Sequence, residues 1–173
     1  WQSNIWATAS GGAVNAANYP LPQDTAVIDD SSGGAGFTIT MNGVSIGTLN
    51  ASARTLAITL QTSNPITCYG DWTNGSGITF TNGNGLNFSG GGTQTITTAG
   101  KAMTTTAGLI VDNIGGTVRL NDALTIGSTT QLVVTNGTFD TQGYSITAGG
   151  FSSNNSNKRA IYLRSSTVTL QYF

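Results

Sequence analysis

Apolar residues alternate with Thr and Ser in short runs along the whole chain, and Asn-Gly or Gly-Gly pairs separate the runs. Clear examples are residues 37–41, 56–60, 124–126, 144–146 and 168–170. An alternation with a period of two predicts β-strands that have one buried and one exposed face. Similar runs recur about every 20 to 27 residues, which is typical of a repeat architecture.

We therefore expect an all-β fold, a right-handed parallel β-solenoid of about six or seven rungs. Residues 93–100 resemble residues 144–149, and long loops are scarce. Stacked rungs place equivalent side chains side by side, where like charges repel each other. The small number of charged residues in this chain therefore favours a solenoid. An antiparallel β-sandwich is the alternative, because Asn-Gly pairs also close two-residue hairpins.

The first 25 residues differ from the rest, because they combine Trp1, Trp6 and two prolines with little alternation. Large aromatic side chains at the end of a repeat array suit a cap over the first rung. We expect residues 1–25 to form an N-terminal cap or entry segment and residues 26–173 to form the solenoid domain. We also expect the chain to be an excerpt of a longer protein.

The alternation predicts which side chains point inward. Cys68, between Ile66 and Tyr69, is expected to be a small buried apolar residue. The other predicted core residues are Phe37, Ile39, Met41, Leu56, Ile58, Leu60, Ile78, Phe80, Ile96, Leu109, Val111, Val118, Leu120, Leu124, Ile126, Leu132, Val134, Ile146, Ile161, Leu163, Val168 and Leu170.

Composition restricts the classes of partner and cofactor. The chain has 7 acidic and 6 basic residues, a net charge of −1 and no histidine. Without a basic run we expect no nucleic-acid binding, and without an apolar stretch of about 18 residues we expect no membrane insertion. The single cysteine cannot form an internal disulfide. We expect no cofactor and no metal site, since no compact set of metal ligands is present.

Three segments resemble repeat domains of phage virion proteins and of large bacterial surface proteins. They are the opening with Trp6 and residues 24–29, the stretch 115–151, and the stretch 159–170. The resemblance implies a virion or cell-surface scaffold, such as a tail fibre, a spike or a capsid decoration, and it implies no reaction. In that pattern glycine often stands where this chain has Arg164.

Candidate catalytic groups are few. A nucleophile–base triad usually requires histidine, which leaves only Ser-Lys chemistry with Lys101 or Lys158, two residues that we expect to be solvated in turns. Asp112, Asp122 and Asp140 could stack along one corner as the carboxylates of a polysaccharide depolymerase. Each is also typical of an Asx turn, which is the interpretation we favour. We expect no enzymatic activity, with a depolymerase as the enzymatic alternative.

Threonine pairs suggest another function. Thr-x-Thr occurs at 38/40, 79/81, 95/97, 104/106 and 167/169, and ranks of outward threonines on a flat solenoid face could bind ice. Such a face requires the pairs to be in register on every rung. Arg119 and Arg164 are expected to interrupt the series, and threonine is in any case a common residue on strand surfaces.

Aromatic residues beside polar ones are the best candidates for contact with glycan. The candidate residues are Asp71, Trp72, Asn74 and Tyr162, with Tyr69 and Tyr172 as further exposed aromatics. The alternative for Trp72, which we favour, is packing at the end of a rung, because large aromatic side chains are mostly buried.

Together these features predict a non-enzymatic structural or attachment module of a phage virion, located on the virion surface or outside the cell. A bacterial surface adhesin is the second expectation. The expected partners are neighbouring virion or surface proteins and a host cell-surface glycan, and a homotrimer is expected because viral fibres often close their ends by symmetry.

Overall fold

The computed structural model describes residues 5–82 and 84–172, and almost every regular element in that part of the chain is a β-strand. One 3₁₀ turn, Ala16–Asn18, precedes the strands. The strands are β1 (Thr25–Val27), β2 (Thr38–Asn42), β3 (Ser45–Ile46), β4 (Thr48–Asn50), β5 (Ile58–Asn64), β6 (Ile66–Cys68), β7 (Trp72–Thr73), β8 (Ile78–Asn82), β9 (Leu86–Phe88), β10 (Thr93–Thr97), β11 (Met103–Thr104), β12 (Leu109–Leu120), β13 (Leu124–Thr125), β14 (Gln131–Asp140), β15 (Ile146–Ala148), β16 (Gly150–Ser152), β17 (Arg159–Tyr162) and β18 (Val168–Leu170).

All pairings between these strands are parallel, and each strand pairs with its counterpart in the next turn of the chain. The fold is a β-solenoid of about seven turns. The solenoid prediction is confirmed, and the antiparallel sandwich is wrong. Parallel stacking needs a long return path, and the spacing between register partners runs from 19 residues (Gln131 to Gly150) to 24 residues (Thr93 to Thr117).

The rungs have three faces. Face I contains β1, β4, β7, β10, the second half of β12, the end of β14, and β17. Face II contains β3, β6, β9, the first halves of β12 and β14, and β16. Face III contains β2, β5, β8 and β11, then β13, β15 and β18, and a bridge between Met103 and Ile126 joins its two sheets.

The core is one continuous column of apolar side chains between the three faces. Most predicted core residues are buried, from Ile39 in β2 to Ile146 in β15. Phe37, Ile161 and Leu170 are half-buried and pack against this core. Trp6 is also buried in it, whereas Trp1 and Gly83 lie outside the described residues.

Three predicted core residues are exposed instead: Leu56, Leu163 and Val168 are 40%, 45% and 38% exposed. Leu56 lies at a corner, where its backbone N–H bonds to Asp30 at 3.0 Å. Leu163 and Val168 lie on the last turn, and no described strand stacks beyond β17 and β18. An inward-pointing residue is covered only when another rung lies above it.

Arg54, a charged residue that is fully buried, was not predicted. The Arg54 guanidinium donates to the carbonyl oxygens of Leu56, Asp29 and Gly33, each at 2.8 Å, and to that of Gly34. Its charge centre lies 5.3 Å from the centre of the Phe37 ring. Arg54 therefore holds the loop between β1 and β2 against the following rung.

Candidate functional site

Seven residues of face I lie in register along the solenoid axis. We call this outward-facing column the face I rank; it contains Thr25, Thr48, Asp71, Thr95, Arg119, Asp140 and Tyr162. Neighbouring rungs are about 4.8 Å apart, so the rank is about 29 Å long. The residues that follow them in sequence, such as Leu49 and Ile96, point into the core.

Two of the four predicted glycan contacts belong to this rank. Asp71 is half-buried and Tyr162 is 56% exposed. They lie four rungs apart, about 19 Å along the axis. The sequence placed both residues on the surface but could not show that they share one column.

The other two predicted contacts, Trp72 and Asn74, are buried. Trp72 is 0% exposed and packs edge-on against Phe80, with ring centres 5.5 Å apart. Its indole Nε1 donates to Asn74 Oδ1 at 2.9 Å. The hypothesis of an exposed Trp72 beside a polar Asn74 is therefore wrong, and the packing alternative is confirmed. Trp72 in β7 and Asn74 directly after it both point inward, and the amide supplies the partner that a buried indole N–H needs.

Asp71 links rungs. Its Oδ1 accepts a hydrogen bond from the Thr95 backbone N–H at 2.7 Å, and its own backbone N–H donates to Thr48 Oγ1 at 3.3 Å. Both partners belong to the face I rank. Asp71 therefore ties three consecutive rungs together.

The strongest electrostatic contact of face I lies near its last rungs. Arg164 donates through Nε to Asp140 Oδ1 at 2.6 Å and through Nη2 to Asp140 Oδ2 at 2.7 Å. This guanidinium lowers the pKa of Asp140 to about 2, and a hydrogen bond from the Gln142 backbone N–H acts in the same direction. Arg164 has φ of 53°, in the region that glycine favours, at the position where the resemblance led us to expect glycine.

The three aspartates do not stack along one corner, so that part of the depolymerase hypothesis is wrong. Asp112 Oδ1 accepts from Asn136 Nδ2 at 2.5 Å. Asp122 accepts from the backbone N–H groups of Thr98 and Ala99 at 2.8 and 2.7 Å. Asp140 pairs with Arg164. Each carboxylate thus satisfies a donor of a neighbouring rung or turn.

Face III carries a second column in register. It contains Thr38, Thr59, Thr79, Ala102, Thr125, Thr147 and Thr169, so that threonine occupies six of seven rungs. Arg119 lies on face I, and Arg164 lies in the turn after β17. The expectation that they interrupt the threonine series is therefore wrong. The pair Thr95/Thr97 is also on face I, in β10.

Cys68 is fully buried, as predicted, and burial raises the pKa of its thiol to about 12. Within residues 5–82 and 84–172, no three His, Cys, Asp or Glu residues come close enough together to hold a metal ion. The same residues include no helix of the length and apolarity that a membrane span requires.

Comparison with models of protein families, with curated proteins and with solved structures finds no match.

Proposed function

We propose that this protein is a non-enzymatic attachment module of a phage virion, working as part of a tail fibre, a spike or a capsid decoration. In this proposal the face I rank is the surface offered to host glycan at the virion surface. The observation that carries the proposal is the register of the rank, which lines up hydroxyl, carboxylate and guanidinium groups and one exposed aromatic ring along about 29 Å.

A linear polysaccharide repeats its hydroxyl groups along an extended chain, and an extended row of hydrogen-bonding side chains is complementary to it. Tyr162 adds an apolar ring surface with a polar tip, which suits the apolar face of a sugar ring. Within the rank, the side chain of Asp71 and the hydroxyl of Thr48 are held by backbone contacts of the next rungs. The row is thus partly ordered before any ligand arrives, which lowers the entropy cost of binding.

The continuous core supports the structural part of this proposal. Each rung packs only on its neighbours, so a stack of rungs forms a stiff spacer that holds the rank in one orientation. A bacterial surface adhesin would use the same spacer and the same rank. The phage setting comes from the resemblance of residues 115–151 and 159–170 to virion repeats.

Binding to a panel of bacterial surface polysaccharides tests the proposal. We expect at least one glycan to bind, and Tyr162→Ala to weaken that binding about tenfold. Tyr69→Ala is the matched control, because Tyr69 is an exposed aromatic residue outside the rank. Absence of binding across the panel, or equal losses in both variants, would contradict the proposal. Sedimentation equilibrium then tests the expected homotrimer.

The threonine column of face III favours ice binding as a second candidate. Its hydroxyl and methyl groups recur on six of seven rungs, about 4.8 Å apart except at Ala102, and a regular array of this kind can order water. We expect thermal hysteresis that Thr79→Lys abolishes. Thr93→Lys on face I is the matched control, since both threonines are exposed on strands. Thermal hysteresis that is absent, or equally reduced by both substitutions, would overturn this candidate.

A further inference from the structure

Three consecutive members of the face I rank carry charge or an aromatic ring. Arg119 in β12 pairs in register with Asp140 in β14, and Asp140 pairs in register with Tyr162 in β17. Arg164 reaches the same place through its contacts with Asp140. We call Arg119, Asp140, Tyr162 and Arg164 the basic cluster. It spans two rung spacings, about 10 Å.

Arg119 keeps its donors available. Its side chain is exposed on the outer side of the strand, and no hydrogen bond or ion pair joins its guanidinium to another residue in the described part of the chain. A guanidinium has five N–H donors in a planar fork that matches a carboxylate. Arg119 can therefore bind an external carboxylate without breaking an internal contact.

Arg164 is only partly used by the protein. Its Nε and one N–H of Nη2 bind Asp140, and the side chain remains 51% exposed. The Nη1 edge and the second N–H of Nη2 are left for a ligand. Asp140 is buried and paired with Arg164, so its negative charge is largely neutralised toward an approaching anion. The cluster as a whole carries one positive charge.

Tyr162 completes the arrangement, since this residue is 56% exposed and lies one rung beyond Asp140. The phenol ring can lie against the C–H face of a sugar. Arg119 and Arg164 both lie next to Asp140, the neighbour of Tyr162 in the rank. A ligand that satisfies both features carries carboxylates on sugar rings.

We propose that the basic cluster binds an acidic polysaccharide, with a sugar ring against Tyr162 and its carboxylates held by Arg119 and Arg164. This inference rests on the proposed glycan attachment and names the class of glycan. Asp71 lies two rungs before Arg119 in the rank, where a carboxylate would be repelled, so the acidic sugars bind at the last rungs.

The test compares polygalacturonate with neutral dextran in a binding titration of the intact chain. We expect polygalacturonate to bind and dextran not to bind. Arg119→Gln and Tyr162→Ala should each weaken binding about tenfold, and Arg119→Lys should weaken it less, because lysine keeps the charge but loses the fork. Lys101→Gln removes one positive charge at a position that does not belong to face I, and it should change the affinity less than about twofold. Thermal unfolding of each variant verifies that it is folded.

The outcomes separate this inference from the function on which it rests. Equal binding of polygalacturonate and dextran would overturn the acidic specificity and leave glycan attachment intact. Failure to bind any polysaccharide would overturn both. Equal weakening by Arg119→Gln and Lys101→Gln would show unspecific charge attraction and overturn the cluster. Tighter binding of dextran sulfate or single-stranded DNA than of polygalacturonate would overturn the assignment to carboxylates.

Discussion

Arg164 forms a two-point ion pair with Asp140 across adjacent turns of the solenoid, with N···O distances of 2.6 and 2.7 Å. The carboxylate is buried, and the guanidinium is half exposed. Arg164 also has a positive φ of 53°, a conformation that costs a non-glycine residue on the order of 1 kcal/mol. The ion pair offsets that strain and fixes the turn between β17 and β18.

This pair should make stability depend on pH in the acid range. The guanidinium lowers the pKa of Asp140 from 3.8 to about 2. A carboxyl group whose pKa is lower in the folded state stabilises the fold above its unfolded pKa, and that contribution is lost as the pH falls from 3.8 through about 2. Solvent screening at the exposed guanidinium reduces the effect to about 1 kcal/mol.

Urea unfolding at pH 7, 4, 3 and 2 measures this dependence. We expect Asp140→Asn to be less stable than the original chain at pH 7, and the difference to shrink toward pH 2. A difference in the free energy of unfolding that stays constant across this range would contradict the proposed role of the ion pair.

Arg54 should be among the most sensitive positions for stability. Its buried guanidinium satisfies carbonyl oxygens of the loop between β1 and β2, including those of Asp29, Gly33 and Gly34. Arg54→Met keeps much of the volume but leaves these carbonyls without a donor, so we expect a loss of about 3–5 kcal/mol. Arg119→Met, at an exposed strand position, should change the free energy of unfolding by less than about 0.5 kcal/mol. Similar losses of unfolding free energy in Arg54→Met and Arg119→Met, measured by urea unfolding, would show that Arg54 does not act as described.

The alternation of apolar and polar residues was enough to predict the fold class, because every solenoid strand has one side in the core. It was not enough to predict register. The return path between stacked residues varies from 19 to 24 residues, so the sequence does not show which residues become neighbours. For this reason Asp71 and Tyr162 were predicted as contacts, but their common column with Arg119 was not.

Buried polar residues were also beyond the sequence pattern. Arg54 lies at a corner and takes three of its four carbonyl partners from a loop 20 to 25 residues earlier, so no local pattern marks it as buried. Trp72 is a second case in which the local sequence misleads about burial. Its neighbours Asp71 and Thr73 suggested a polar surface, whereas Trp72 and the following Asn74 both point inward.

The hydrogen bond from Trp72 Nε1 to Asn74 Oδ1 should couple these residues energetically. Asn74→Ala leaves the buried indole N–H without an acceptor, and we expect it to cost about 1–3 kcal/mol. Trp72→Phe removes the donor, so adding Asn74→Ala to that variant should cost less. A double-mutant cycle by urea unfolding should give a coupling energy of about 1 kcal/mol. Strict additivity of the two substitutions would contradict the coupling.

Gly137 and Gly115 allow steric contact to be separated from backbone strain. Both have positive φ, 78° and 75°, and both lie within long strands at the bend between faces II and I. A Cβ on Gly137 would lie 1.9 Å from the carbonyl oxygen of Asn113 in the previous rung, whereas a Cβ on Gly115 would have no atom within 4 Å. Gly115→Ala should therefore cost only the strain of positive φ, about 1 kcal/mol.

Gly137→Ala adds a collision with the backbone of a stacked rung, which can be relieved only by moving β12 and β14 apart. We expect a loss of at least ~3 kcal/mol in urea unfolding, or failure of the chain to fold. Circular dichroism of both variants distinguishes these cases, since Gly115→Ala should keep the β-sheet spectrum of the original chain. Equal losses in the two variants would mean that the rungs are not packed at this corner as closely as the 1.9 Å contact requires.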